Sequence, residues 1–356
     1  MLFRINRLIA KLRRRKEVGL SLLLAVIVVS IVGNALTFFF FDRDLQDDLD
    51  VGDALWYSIV SITTIGYGDL TPVSMGARIG TTIFIIVLGL AAFTTSVGIG
   101  VDWILDLQFK ERTGMGRALA KDHLLIINYP NERRVRQIID EFLGDPSHNG
   151  DEIVVVTDKV ETLPFSLNNV HFIRGSPLEE ETYVRANARE ARQAIVLSTG
   201  YDDSSSDSVN ASIVSILEHL SPGIRTVAES LNVEHALLFK AAKNASIVHT
   251  FQISSNLLVQ EAQDPGVNEL TYAITSNKVE GTLVSTRVDN APPGALSYSD
   301  AAKSLLDHDV NLVGVLRDDE EVHVRFGDLD MLDGDRLVYV STDRHDWPTI
   351  RSFLPQ

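Results

Sequence analysis

The stretch TTIGYGDLTP, residues 63–72, gathers threonine hydroxyls, two glycines, a tyrosine and an aspartate into ten positions. In a soluble chain it would read as a hairpin turn, because glycine takes backbone angles closed to other residues. Between two membrane spans, the same residues could form the narrowest part of a pore. The elements on either side decide between these readings.

Val18 to Phe41 runs for 24 residues without a charge, closed by Glu17 and Asp42. As a helix it would reach roughly 36 Å, enough to cross a bilayer core of about 30 Å with some tilt. The run is too long for a cleaved signal peptide, and no small-residue cleavage site follows it. Ile79 to Val101 is a second uncharged run, of 23 residues. Ala54 to Gly68 is uncharged over only 15 residues, too short to cross and suited to a re-entrant segment. Arg4, Arg7, Lys11, Arg13, Arg14, Arg15 and Lys16 precede the first span. Lys110, Arg112, Arg117 and Lys121 follow the second. Both clusters predict cytoplasmic termini, in a multi-pass protein of the cell's inner (plasma) membrane.

The formal charge is −16 despite that basic start, which argues against nucleic acid as a partner. With no cysteine in the chain, disulfides and thiolate metal sites are excluded.

VGDALWYSIVSITT (51–64) predicts a short helix pointing inward, its C-terminal dipole end favourable to a cation. Thr64-Ile65-Gly66-Tyr67-Gly68, followed by Asp69, resembles the selectivity filter of potassium channels, with Ile65 in the place of the usual valine. The resemblance implies K⁺ held at Thr64, Ile65, Gly66 and Tyr67 by backbone carbonyls that replace its water. It also implies a homotetramer, since one chain supplies one strand of the ring. Asp42, Asp44, Asp47, Asp48 and Asp50 are expected either around the outer mouth or in an ordinary solvated loop. Gly89 stands where the family often bends its inner helix, with close helix packing the competing explanation. Thr94, Val97 and Gly98 are expected at the inner gate. No span is arginine-rich, which argues against an intrinsic voltage sensor.

Beyond the linker, HLLIINY (123–129), EIVVVTD (152–158), VHFI (170–173), AIVLS (194–198) and IRTVAES (224–230) are short apolar runs. They alternate with helical stretches and predict a doubly wound Rossmann-like sheet. From about residue 267 the pattern becomes that of a small α+β lobe. Pore, Rossmann-like lobe and small lobe in this order resemble the prokaryotic ligand-gated potassium channels with an RCK (regulator of potassium conductance) domain. The expected layout is a basic N-terminus (1–17), a pore domain (18–106), a linker (107–122), an RCK N-lobe (123–263) and a C-lobe (264–356). Within the pore domain, the outer helix is expected at 18–41, the pore helix at 52–63, the filter at 64–68 and the inner helix at 77–106.

The resemblance further implies an octameric gating ring of RCK domains. Four domains come with the pore, and Met115 stands where an internal start could supply the other four. A small intracellular ligand should work the ring. The first strand–helix turn, NYPNERRV, lacks the glycine fingerprint of a dinucleotide enzyme. Asn128, Tyr129, Asn131 and Arg133 nonetheless stand at a helix start, Asp158 ends the second strand, and Arg174-Gly175-Ser176 and Ser198-Thr199 end the next two. NAD or ADP is expected there. The family's calcium site aligns with Ser176, Glu229 and Leu231, of which only Glu229 is acidic, so the resemblance leaves Glu229 as the one expected Ca²⁺ ligand of a site otherwise lost or rebuilt. The acidic run 327–335 reads as a turn before the last strand. A membrane-anchored dinucleotide enzyme would leave residues 54–72 unexplained, and a potassium-transporter subunit would need more spans. The chain is expected not to be an enzyme.

Overall fold

The computed structural model describes residues 16–46, 48–279, 281–291, 296–317, 321–327 and 329–355. The basic residues before Lys16, together with Asp47 and Asp328, lie outside them. The chain divides into two compact units, one ending at Phe109 and the other running from Lys110.

The first unit holds three helices: α1 (Lys16–Asp42), α2 (Val51–Ile62) and α3 (Met75–Arg112), the last continuing into the second unit. Small residues let α1 and α3 approach. Gly33 lies against the Phe84 ring, Gly76 against Phe41 and Gly80 against Thr37, each so close that an added Cβ would overlap its neighbour. Ala35, Phe38, Ala54 and Ala77 form the small core behind α2. Leu22, Leu24, Val28, Val29, Val32, Leu36 and Phe40 point out of the unit. So do Ile79, Ile83, Ile86 and Val87 on α3. Apolar faces this continuous suit lipid or neighbouring subunits rather than water.

Thr81–Gly89 of α3 is wound as a π-helix, and the Leu90 amide reaches back to Ile85 O. Three consecutive hydroxyls below it return to their own helix, Thr94 to Leu90 O (2.8 Å), Thr95 to Ala91 O (2.7 Å) and Ser96 to Ala92 O (2.9 Å). Such back-bonding weakens and bends helices.

The second unit opens with a six-stranded sheet in the order β3-β2-β1-β4-β5-β6, with parallel pairing throughout. Its strands are β1 (Leu124–Ile127), β2 (Ile153–Thr157), β3 (Val170–Arg174), β4 (Gln193–Val196), β5 (Arg225–Ser230) and β6 (Ala245–His249). The sequence pattern indicates five of these; β6 is a further edge strand whose residues are only half buried. Helices α4 (Glu132–Gly144), α5 (Glu180–Arg185) and α6 (Ser206–Leu220) cover the faces. Alternate residues of β1 and β2 feed different cores. Leu124, Ile126, Ile153 and Val155 pack with Val135 and Ile139 of α4, while Leu125, Ile127, Val154 and Val156 pack with Ile213 and Leu217 of α6. Two covered faces are what make these strands read as unbroken apolar runs.

Helices α7 (Thr250–Gln263) and α8 (Val267–Thr275) lead to an antiparallel sheet. Its strands β7 (Thr282–Arg287), β8 (Asn311–Arg317), β9 (Glu321–His323) and β10 (Arg336–Ser341) lie in the order β7-β10-β8-β9. Helices α9 (Tyr298–Leu306) and α10 (Trp347–Phe353) close its core. In the acidic run, Asp335 is buried and takes Arg317 at 2.8 Å, the Tyr298 hydroxyl at 2.7 Å and the Leu332 amide at 2.9 Å. That carboxylate is a structural anchor with its oxygens spent.

Candidate functional site

The segment after α2 is built from the backbone outward. Asp50 caps α2, accepting from the Asp53 amide at 2.8 Å while the Asp53 carboxylate accepts from the Asp50 amide at 3.2 Å. At the other end, the last carbonyls of α2 would be orphaned. The following strand supplies their partners: Thr64 N–H bonds Ser61 O (3.1 Å), and the Ile65 and Gly66 amides both bond Val60 O (3.1 and 3.3 Å).

Those three amides are turned toward α2, which leaves the strand's carbonyls facing away from it. The backbone angles agree. Thr64, Gly66 and Gly68 have φ of 62°, 60° and 77°, and Ile65 and Tyr67 between them do not have positive φ. In an ordinary strand successive carbonyls point to opposite sides. Reversing the sign of φ at every second residue brings them to one side. Thr64 carries strain here, since a β-branched residue rarely takes positive φ. A Cβ on Gly66 or Gly68 would meet nothing within 4 Å, so glycine is required by the angle and not by crowding.

Side chains hold this strand from outside. Trp56 Nε1 donates to Asp69 Oδ2 at 2.8 Å, and the Trp56 and Tyr67 rings stack at 5.9 Å with planes 7° apart. Behind α2, Asn34 is completely buried and donates to Ser58 Oγ (2.9 Å) while accepting from Thr81 Oγ1 (3.1 Å). Asp42 fits neither expectation for the five carboxylates, outer mouth or solvated loop. It is fully buried, taking the Val73 amide (2.7 Å), the Ser74 amide (3.0 Å) and Gln46 Nε2 (3.0 Å). It thus staples the start of α3 to the end of α1. Asp50 is a helix cap, and Asp44 and Asp48 remain exposed.

Along α3, Gly89 closes the π stretch against Ile62, the last residue of α2, and an added Cβ would overlap both Ile62 and Phe84 O. Thr94 and Val97 are exposed in the chain, and Gly98 faces open space.

The second candidate site is the carboxyl edge of the parallel sheet, where strand order reverses between β1 and β4 and ligands of doubly wound folds bind. Asn128, at φ 74°, spends its side chain on Leu197 O (2.8 Å) and Asn210 Oδ1 (3.1 Å), which ties β1 to β4 and α6. Asn131 caps α4 through the Arg134 amide at 3.0 Å. Arg133 and Asp158 are exposed. Thr199 donates to Asp203 and gives its amide to Ser206 Oγ at 3.0 Å. Hydrogen bonds from Ser205 and Thr199 hold the Asp203 carboxyl down at about 2. Ser176 Oγ accepts from the Leu178 amide, and Gly175 lies against Thr182 and Arg185.

The residue that crosses this edge is Arg134, which the sequence reading passed over for its neighbour. Its Nη2 reaches Glu229 Oε1 at 3.0 Å, and the guanidinium sits 5.8 Å from the Tyr201 ring centroid. The other oxygen of Glu229 takes the Ser198 amide at 2.9 Å. The calcium expectation at Glu229 is corrected accordingly. Its carboxylate is buried and satisfied by a cation and an amide, and no group of three His, Asp or Glu among the described residues could hold a metal. Beside this pair Ser198 Oγ and Arg134 Nε, and in the core between β1 and α4 the Tyr129 hydroxyl, are buried with no hydrogen-bond partner among the described residues. Buried donors of this kind are normally satisfied by protein groups or ordered water.

Residues 22–106 match the ion-channel family, and residues 120–228 match the calcium-activated potassium channel slowpoke-like RCK domain. YugO of Bacillus subtilis (strain 168) is 26% identical over 272 residues, covering 74% of this chain and 79% of its own. The calcium-gated potassium channel TvoK of Thermoplasma volcanium is 22% identical over 290 residues, 79% of this chain and 80% of its own. Among solved structures, the GsuK channel bound to NAD covers 90% of this chain at 17% identity with a TM-score of 0.47. The chain spans 57% of that structure's length.

Proposed function

We infer that this chain, which belongs to the prokaryotic potassium channels carrying an RCK domain, passes K⁺ between carbonyls of residues 64–68 and is opened or closed by an anionic ligand at the sheet's carboxyl edge. The observation that carries the pore reading is the alternation of φ at Thr64, Gly66 and Gly68, with the Thr64, Ile65 and Gly66 amides spent on α2. Four such strands around an axis would give stacked rings of oxygens able to replace the water of a dehydrated cation. Thr64 adds a hydroxyl at the inner end, and Gly89, Thr94, Val97 and Gly98 belong to the path below it. The basic segments flanking the spans favour cytoplasmic termini in the plasma membrane. A tetramer brings four RCK domains, and a product starting at Met115 would supply four more to close a ring of eight.

For the ligand, an adenine nucleotide such as ADP or NAD fits best. Arg134 supplies a cation for phosphate, and Ser198, whose amide bonds the same Glu229 carboxylate, supplies an unsatisfied hydroxyl. Asp158 and Arg174-Gly175-Ser176 border the edge at the ends of β2 and β3. The glycine-poor first turn favours approach by side chains rather than by bare backbone amides.

The test is flux from liposomes holding the purified channel. K⁺ efflux should exceed Na⁺ efflux by orders of magnitude, and ADP or NAD should change the K⁺ rate. Equal Na⁺ flux would overturn the filter. An unchanged rate with ADP, NAD and Ca²⁺ alike would overturn the ligand assignment and leave the filter standing.

A further inference from the structure

The connection that leaves α3 is not a loose tether. Two residues past Arg112, Gly114 has φ of 65° and its carbonyl accepts twice, from the Arg174 amide at 2.8 Å and from Arg185 Nη1 at 3.0 Å. Both lone pairs of that oxygen are therefore used. The same guanidinium turns its Nη2 onto the Arg174 carbonyl. Arg185 thus closes a small circuit joining the connection, the last residue of β3 and α5. The circuit admits no side chain at Gly114, where a Cβ would overlap Arg174.

Further bonds extend the strap: Ala118 N–H to Arg185 O (2.8 Å), Asn187 Nδ2 to Ala120 O (2.8 Å) and Asp122 N–H to Glu190 O (2.8 Å). Ala118 and Ala120 are buried in the sheet's core. Immediately after Arg174 comes Gly175-Ser176, the border of the carboxyl edge. Gly175 packs directly on the Arg185 guanidinium, where an added Cβ would lie 2.8 Å from Nη2.

We propose that Arg185 is the positioning residue that couples the ligand edge to the inner helix, by locking the Gly114 carbonyl to the Arg174 carbonyl beside residues 175–176. A shift of that border moves a guanidinium held by two bonds to carbonyl oxygens, and the strap moves with it. A planar fork is needed, because one point charge cannot hold two carbonyls in fixed relation. The proposal rests on the ligand-gated reading above, and its test separates the two.

The experiment uses the full-length channel in planar bilayers and liposomes, with ADP as the probe. In Arg185→Gln, ADP should bind with wild-type affinity within about twofold, while the change in open probability that ADP causes falls at least about threefold. Hydrogen exchange at the Arg174 and Ala118 amides should accelerate at least tenfold. Arg185→Lys should recover only part of the response. Gly114→Ala breaks the same circuit from the other side, so it should give the same phenotype, and the double variant should be no worse than either single one.

Size-exclusion profiles should stay unchanged, which a general loss of structure would not allow. A wild-type ADP response in Arg185→Gln overturns the proposal. Where ADP leaves the wild-type channel unmoved, the ligand reading fails, and basal open probability decides instead. A basal value and exchange rates unchanged in both variants overturn the strap on their own.

Discussion

The Trp56 indole donates to the Asp69 carboxylate across 13 residues of chain, and everything between them, the strand 64–68 included, is held in the loop that this bond closes. Trp56→Phe keeps the stack on Tyr67 but removes the donor. The outer end of the filter should loosen, so the K⁺/Na⁺ permeability ratio, read from reversal potentials, should fall and conduction should lapse during sustained recording.

Gly66→Ala should abolish K⁺ flux while leaving assembly intact. The space for a methyl group exists, but an L-residue at positive φ costs roughly 1–2 kcal/mol, and the cost recurs in every subunit. Relaxing it would turn a carbonyl away from the axis. Normal flux with a normal tetramer on native gels would sink the backbone argument.

Two glycines of the same helix should behave oppositely. Gly80→Ala drives a methyl into Thr37 at the α1–α3 contact and should lower detergent-phase stability by about 1–3 kcal/mol. Gly98→Ala meets open space and should leave thermal stability unchanged or slightly raised. Paired melting curves check both.

Arg134→Gln leaves Glu229 buried with only the Ser198 amide, and should destabilise the RCK unit by about 3 kcal/mol, visible as an earlier thermal transition. Adding Glu229→Gln should restore much of it, because no uncompensated charge remains. Calorimetry with ADP should find binding lost in both variants.

The C-lobe should weaken in acid. Burial pushes Asp335 up, but Arg317, the Leu332 amide and the Tyr298 hydroxyl together hold its carboxyl below the ordinary 3.8. A depressed folded value gives stability that is present above the unfolded pKa and lost as pH falls through the folded one. Melting temperature should therefore drop below about pH 4, and Asp335→Asn should flatten that slope.

The backbone form of residues 64–68 was legible from sequence because its demands are local: glycine where φ is positive, a short apolar helix before it, spans around it. The parallel strands were legible for a related reason, since both faces of β1 and β2 are covered and their apolar runs are unbroken. Strand β6 was not, because it is a half-exposed edge whose five residues merge into α7. Arg134 was missed for Arg133 since neighbours on a helix differ by about 100° in direction, which only the fold resolves. Asp42 looked like mouth charge, and its true partners, the Val73 and Ser74 amides, lie 31 and 32 residues away. Side chains that spend themselves on distant backbone leave no pattern in the nearby sequence.

The widened stretch Thr81–Gly89 also changes what kind of movement α3 can make. A π turn stores more residues than an α turn. Each residue handed back to the tighter ladder would rotate everything below it by about 100° and advance it by about 1.5 Å. Thr94 and Gly98 would yield their bearing to Thr95 and Ile99, exchanging a hydroxyl and a bare backbone for a hydroxyl and a bulky alkyl. The lower half of the helix can therefore work as a screw, changing the chemistry of the conduit by register alone, with no tilt of its axis.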